Sequence, residues 1–192
     1  KITEELQDEI ISLRLVSVAN VFQKMQRIVR EMNKKLGKQV KLKLIGEETE
    51  IDKKVVDFIT DPIMHIVRNA IDHGIELPEE RLKQGKAAEG TVTLEAINDG
   101  GEVFINIKDD GKGLNKEAII KKALTNQLIT EEEIEKLSDD VIYKLIYKPG
   151  FSTKEQTSEF SGRGVGMDVV IKNIEQVGGS IQIKTIPGEG QA

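Results

Sequence analysis

The chain has 192 residues, 38% hydrophobic and 32% charged, enough for one sizeable domain with a core or one domain plus a short extra element. A net charge of -5 argues against a nucleic-acid binder, which needs a basic face, and 4% aromatics with no tryptophan argue against stacking on bases. Without cysteine there is no disulfide framework, thiol nucleophile or thiolate metal site, which fits a reducing compartment, and no apolar run approaches the roughly 20 residues that span a bilayer.

The N-terminus, Lys1 to Glu5, is charged, is not a signal peptide and lacks an initiator methionine, so a piece of a longer chain is expected. Residues 3–12 read as the end of a charged helix. Val18, Val21, Phe22, Met25, Ile28, Val29, Met32 and Leu36 recur at helical spacing, and Gly37 is the expected stop. Val40, Leu42 and Leu44 alternate with Lys41 and Lys43, as in a half-buried strand, and Gly46 with the acids after it reads as a turn. Residues 52–73 read as a long helix with Asp52 as N-cap and Pro62 marking a kink or its true start; Gly74 ends it.

Residues 75–90 read as a loop. Two alternating strands, 91–97 and 102–108, flank Asn98-Asp99-Gly100-Gly101, a strong hairpin signal. Helical patterning with polar breaks covers 116–145. Residues 148–166, rich in Gly, Ser, Thr and Lys, read as a long loop, and loops of this length tend to be functional. A helix from Gly166 to Val177 and a strand from Ser180 to Ile186 complete the pattern. Helices and antiparallel strands are mixed without regular βαβ alternation. The expected class is α+β, a two-layer sandwich with helices on one face of a mixed, mostly antiparallel sheet.

Four segments carry candidate chemistry. In the first, His65, Asn69, Asp72 and His73 fall on one helix face, with Arg68 at its edge and Ile59, Ile63, Ile66, Val67 and Ala70 opposite. Such a polar face suits phosphate oxygens and a divalent cation, since a carboxamide oxygen is a hard ligand; a merely solvated face is the alternative. Asp109-Asp110-Gly111-Lys112-Gly113-Leu114 follows a strand. Its first carboxylate can accept from an exocyclic amine, and its glycines let backbone approach a flat ring, unless it is an ordinary Gly-rich turn.

Gly162, Arg163, Gly164, Val165, Gly166 and Met167 open a helix, where glycine-exposed N–H groups form an anion site. A dinucleotide fingerprint is rejected because a polar loop, not a strand, precedes this run, and no Walker sequence exists anywhere in the chain. Last, Phe151-Ser152-Thr153-Lys154 offers an anchor, two hydroxyl donors and a point charge for a terminal phosphate; a solubilising lysine is the alternative.

Taken together and in this order, HIVRNAIDHGIE, DDGKGL, PGFSTK and SGRGVGMDVV resemble the N, G1, F and G2 boxes of the gyrase, chaperone, histidine kinase and MutL ATPases. Their wording is similar to that of the CheA family of chemotaxis histidine kinases, over nearly all of residues 13–190. The resemblance implies a Bergerat-type ATP site with a lid over roughly 148–165. Asn69 would ligate Mg²⁺, and Asp109 would bind the adenine amine. Gly111, Gly113 and Leu114 would shape the adenine pocket. His65, Arg68, Asp72 and His73 would line the phosphate end. Ser152, Thr153, Lys154, Gly162, Arg163, Gly164, Val165, Gly166 and Met167 would hold phosphates and hinge the lid, with His65, Asn69 and Lys154 as the catalytic set. Gly188-Glu189-Gly190 matches the last glycine box.

Hydrolysing members of the superfamily carry a glutamate where this chain has His65, so the resemblance implies transfer to a histidine rather than hydrolysis. Family members carry a basic residue where Ala118 stands, a cation that Lys116, Lys121 or Lys122 would have to supply. The implied organisation is an upstream dimerisation helix ending in residues 1–12 and a catalytic domain over 13–192, its last strand truncated. The implied partners are a histidine phosphotransfer domain of the same protein, a second copy through the upstream helix, a coupling protein, a chemoreceptor and response regulators, in the cytoplasm. A non-catalytic ATP-dependent sensor and an ATPase of the gyrase or MutL kind are the alternatives.

Overall fold

The computed structural model describes residues 14–148, 150–151, 167–176, 178–180, 182–186 and 188–192. The chain forms two compact units, residues 1–109 and 110–192.

In the first unit a short strand β1 (Leu15–Ser17) leads into helix α1 (Ala19–Leu36). The residues with helical spacing in the sequence form its buried stripe: Val21, Phe22, Met25, Ile28, Val29 and Met32. Gly37 ends the helix in the left-handed conformation, φ +65°, which glycine adopts without a Cβ penalty. Asn33 ties the helix to the next strand, β2 (Val40–Ile45): its amide donates to the Val40 carbonyl at 3.0 Å and its oxygen accepts from the Val40 N–H at 3.1 Å.

The segment read as a turn after Gly46 contains a further strand, β3 (Glu50–Asp52), antiparallel to β1. Three residues are too few for alternation to show. Asp52 caps helix α2 (Lys53–Asn69), its carboxylate accepting from the Lys54 N–H at 2.8 Å. Pro62 lies buried inside this helix and is not its start. The α-helix ends at Asn69, not at His73, and Ala70–Gly74 form a π turn closed by the Ile75 N–H on the Ala70 carbonyl at 2.7 Å.

The region read as a loop holds helix α3 (Pro78–Lys83), with proline in its first turn where the missing N–H costs nothing. Strands β4 (Gly90–Asp99) and β5 (Glu102–Asp109) form the expected hairpin. Its two-residue turn puts both Gly100 (φ +60°) and Gly101 (φ +89°) at positive φ, as a type I′ turn requires. Strand β2 pairs with β4 in parallel, so one crossover through α2, the π turn and α3 joins them.

The inward faces of the sheet, Val40, Leu42, Leu44, Val92, Leu94, Ala96, Ile105 and Ile107, pack with α1, α2 and the π turn in one core. Lys41, Lys43 and Lys108 are exposed on the outer face. The helices therefore cover one face of the sheet; β2–β4 is parallel, whereas β1–β3, β4–β5 and the last hairpin are antiparallel.

In the second unit, α4 (Lys116–Thr125), α5 (Glu131–Ile134) and α6 (Asp139–Lys144) each start on a polar cap: Asn115, Thr130 in a capping box with Glu133, and Ser138. They pack around Ile119, Ala123, Ile129, Ile142, Leu145 and Phe151. Helix α7 spans Met167–Gln176. The strand expected over 180–186 shrinks to β6 (Thr185–Ile186), antiparallel to β7 (Gly190–Gln191).

Candidate functional site

Helix α2 buries Ile63 and Val67, and the π turn buries Ala70 and Ile71. Ile66, assigned to the apolar face, is only half-buried. That leaves His65, Arg68 and Asn69 half-buried along the other side, and Asp72 and His73 exposed beyond them. The Asp72 carboxylate lies 3.5 Å from the His73 Nε2. The His65 imidazole sits below its ordinary value of 6.5, first because burial penalises the charged ring and second because the Arg68 guanidinium repels it. His65 is therefore neutral near pH 7, with one nitrogen to donate and one to accept.

Asp109 ends β5 opposite Val92 and is buried, only 3% exposed. A Cβ on Gly74 would stand 3.5 Å from one Asp109 carboxylate oxygen and 3.6 Å from the other. The end of the π turn thus abuts the Asp109 carboxylate, and two of the four sequence motifs meet there. Asn69, the residue expected to ligate a metal, offers a hard carboxamide oxygen of the kind Mg²⁺ takes when a nucleotide carries it, one or two protein donors sufficing in that setting. Among the described residues no cluster of three or more His, Asp or Glu is built to hold a metal by itself.

In the second unit the loop after Asp110 is tied to the last hairpin. The Leu114 N–H donates to the Thr185 hydroxyl at 2.8 Å, and the Gly188 N–H donates to the Lys112 carbonyl at 2.7 Å. Gly113 has φ +72°, and a Cβ there would lie 2.6 Å from the Ile186 carbonyl oxygen. The close approach that requires glycine at 113 is therefore to the chain's own backbone, not only to a flat ligand. Gly111 is buried. The Phe151 ring is buried, Lys122 Nζ stands 4.8 Å from its centroid, and the Asn126 amide donates to the Gly150 and Phe151 carbonyls; the loop it was expected to anchor, residues 152–166, lies outside the described residues.

The lysines weighed as a replacement cation, Lys116, Lys121 and Lys122, are all exposed; Lys116 is engaged with Asp139 at 2.7 Å and Lys122 lies over the Phe151 ring. Ser152, Thr153, Lys154, Gly162, Arg163, Gly164, Val165 and Gly166 lie outside the described residues, and Met167 opens α7.

Two features escaped the sequence reading. Lys38 donates to the Ile71 and Asp72 carbonyls at 2.7 Å each. Glu76 and Arg81, 7% and 2% exposed, form a buried pair at 3.1 Å, joined by Lys86 at 2.8 Å on the other Glu76 oxygen. Burial raises the Glu76 pKa, but the Lys86 hydrogen bond, its own backbone N–H and the charges of Lys86 and Arg81 outweigh it, leaving the carboxyl below its usual range. The only sequence signals were a lysine after a helix-ending glycine and charges scattered through an apparent loop.

The family of histidine kinase-, DNA gyrase B- and HSP90-like ATPases matches residues 59–192, most of the chain and all the motif segments. The chain belongs to that family. ATP binding follows from this membership. Among curated proteins, the chain is 49% identical over 190 residues to "Chemotaxis protein CheA" of Bacillus subtilis, covering 99% of this chain and 28% of that protein. It is 46% identical over 186 residues to "Chemotaxis protein CheA" of Salmonella typhimurium, covering 97% and 27%. It is 47% identical over 189 residues to "Sensor histidine kinase CheAY" of Helicobacter pylori, covering 98% and 24%. The chain thus spans about a quarter of the length of these relatives.

Proposed function

We propose that the chain is the ATP-binding catalytic domain of a chemotaxis histidine kinase, a phosphotransferase that passes the γ-phosphate of Mg-ATP to a histidine on a separate phosphotransfer domain. The observation that carries this reading is the buried Asp109 carboxylate against Gly74, the end of the segment that bears Asn69. A buried carboxylate at a strand end suits an exocyclic amine, so Asp109 takes the adenine. Asn69 is the Mg²⁺ ligand, and the ion when bound would neutralise charge on the phosphate oxygens. Arg68, Asp72 and His73 border the phosphates, and Gly111, Gly113 and Leu114 shape the adenine side. The loop residues Ser152, Thr153, Lys154, Gly162, Arg163, Gly164, Val165 and Gly166, with Met167, hold the γ-phosphate end.

His65 supports transfer over hydrolysis. The glutamate that hydrolysing members of the superfamily use to activate water is absent at this position, while an acceptor histidine is itself the nucleophile and needs no activated water. Similarity to chemotaxis proteins over nearly the whole chain supports the same role in two-component signalling. The fuller assembly we propose is a cytoplasmic homodimer through an upstream helical domain ending in residues 1–12. It is regulated by a coupling protein and chemoreceptor and feeds response regulators. No helix among the described residues is long and apolar enough to cross a membrane.

The test is calorimetric titration of ATP with and without Mg²⁺ on the parent and on Asp109→Asn, followed by phosphotransfer to an added histidine domain. Binding by the parent, at least tenfold weaker in the variant, and label on the histidine domain are expected. Free phosphate in place of that label would make the chain an ATPase. Bound but intact ATP would make it a sensor.

A further inference from the structure

The chain after Asn69 departs from α-helical geometry at the point where the candidate site needs its side chains held. In the π turn the Ala70 carbonyl is taken by the Ile75 N–H. The next two acceptors, the Ile71 and Asp72 carbonyls, lie where helix ends commonly leave carbonyls orphaned. Ile75 is extended, and the Glu76 N–H turns to its own carboxylate, so the following backbone does not continue the turn. Lys38 meets both carbonyls from 33 and 34 residues away in sequence, with Nζ 2.7 Å from each oxygen. It reaches them because Gly37, at φ +65°, turns the chain out of α1 immediately before it. An ammonium has three donors and a full charge, so one side chain satisfies two carbonyls at the negative end of a helix.

We propose that Lys38 is a positioning residue for the metal-phosphate end of the nucleotide site: by clamping the Ile71 and Asp72 carbonyls it sets the backbone that carries Asn69, Asp72 and His73 and that rests Gly74 on Asp109. The inference rests on the nucleotide reading above and deepens it. Lys38 touches no ligand in this scheme. It acts through the π turn, as residues behind a metal ligand do when their loss weakens metal binding roughly 10- to 100-fold.

The experiment uses Lys38→Met, which keeps the apolar stem and removes the charge, and Lys38→Arg, which keeps the charge. Amide exchange at Ile75 reports the turn, and the ratio of ATP affinities with and without Mg²⁺ reports its consequence. General destabilisation would lower both affinities together and leave that ratio unchanged. In Lys38→Met, exchange at Ile75 is expected to accelerate more than at core amides of β4, and the Mg²⁺-dependent gain in affinity to fall about tenfold or more, with part of both recovered in Lys38→Arg. Faster exchange with an unchanged affinity ratio would reduce Lys38 to a structural cap and overturn the proposal, as would unchanged exchange with an unchanged ratio. A folded parent that binds no ATP would overturn the functional reading and this inference with it.

Discussion

His65 is the residue at which sequence and environment most directly limit the chemistry. Its half-buried ring resists protonation, through burial first and the Arg68 charge second, so its folded pKa lies below 6.5. The folded state then binds fewer protons than the unfolded one as pH falls past 6.5, and folding loses stability through that window down to the lowered folded value; above 6.5 the group has no such effect. Two outcomes are expected. Imidazole carbon shifts followed by NMR will give His65 a midpoint below 6.5. In addition, His65→Gln will lose less melting temperature than the parent on acidification from pH 7 to 5. A midpoint at or above 6.5 would remove the argument that this ring stays neutral beside a phosphate. The residue scale also shows where motif reading is incomplete: Gly113 looks like a ligand-facing glycine, yet it has the Ile186 carbonyl against it.

At the scale of elements, the stretch between the π turn and β4 is organised by charge rather than by apolar pattern. Helix α3 has six residues, too few to be stable alone, and Arg81 is the residue it buries. Its guanidinium bonds Glu76 and, through Nε, the Ala87 carbonyl at 2.7 Å, while Lys86 closes on Glu76 from the far side. Glu76→Gln takes the carboxylate charge away from beside a buried guanidinium. Glu76→Gln should therefore cost about 3–5 kcal/mol of unfolding free energy in urea titrations. A loss under about 1 kcal/mol would mean the pair is replaceable by solvent. Because the Glu76 pKa is depressed, its contribution is present above the usual 4.5 and is lost as pH falls through the folded value, so the parent and Glu76→Gln should converge in stability in acid.

At the scale of the whole molecule, both histidines of the chain lie in one nine-residue segment, and one of them is half-buried. A chain read as a kinase that supplies no acceptor outside its own site needs that acceptor from elsewhere. This agrees with its covering 28% of the length of its Bacillus subtilis relative. Incubated with labelled ATP and Mg²⁺, the chain alone is expected to carry no acid-labile phosphohistidine, and an added histidine domain should become labelled. Stoichiometric label on His65 or His73 in the chain alone would contradict the assignment of both to the nucleotide site.

The sequence by itself determined the class of the fold, the two long helices, the β4–β5 hairpin and the family. Those depend on local signals: a 3.6-residue apolar period, a Gly-Gly turn, an Asp N-cap and four ordered motifs. Only the tertiary structure decided what pairs across the chain. The parallel match of β2 to β4, the three-residue strands β1 and β3 and the charge-held helix α3 have no periodicity of their own and exist because distant partners supply their hydrogen bonds. The meeting of Gly74 with Asp109, and of Lys38 with the Ile71 and Asp72 carbonyls, is of the same kind. Motif spacing names the residues of a site, but contacts between residues 33 or more apart arise only when packing of the core brings their elements together.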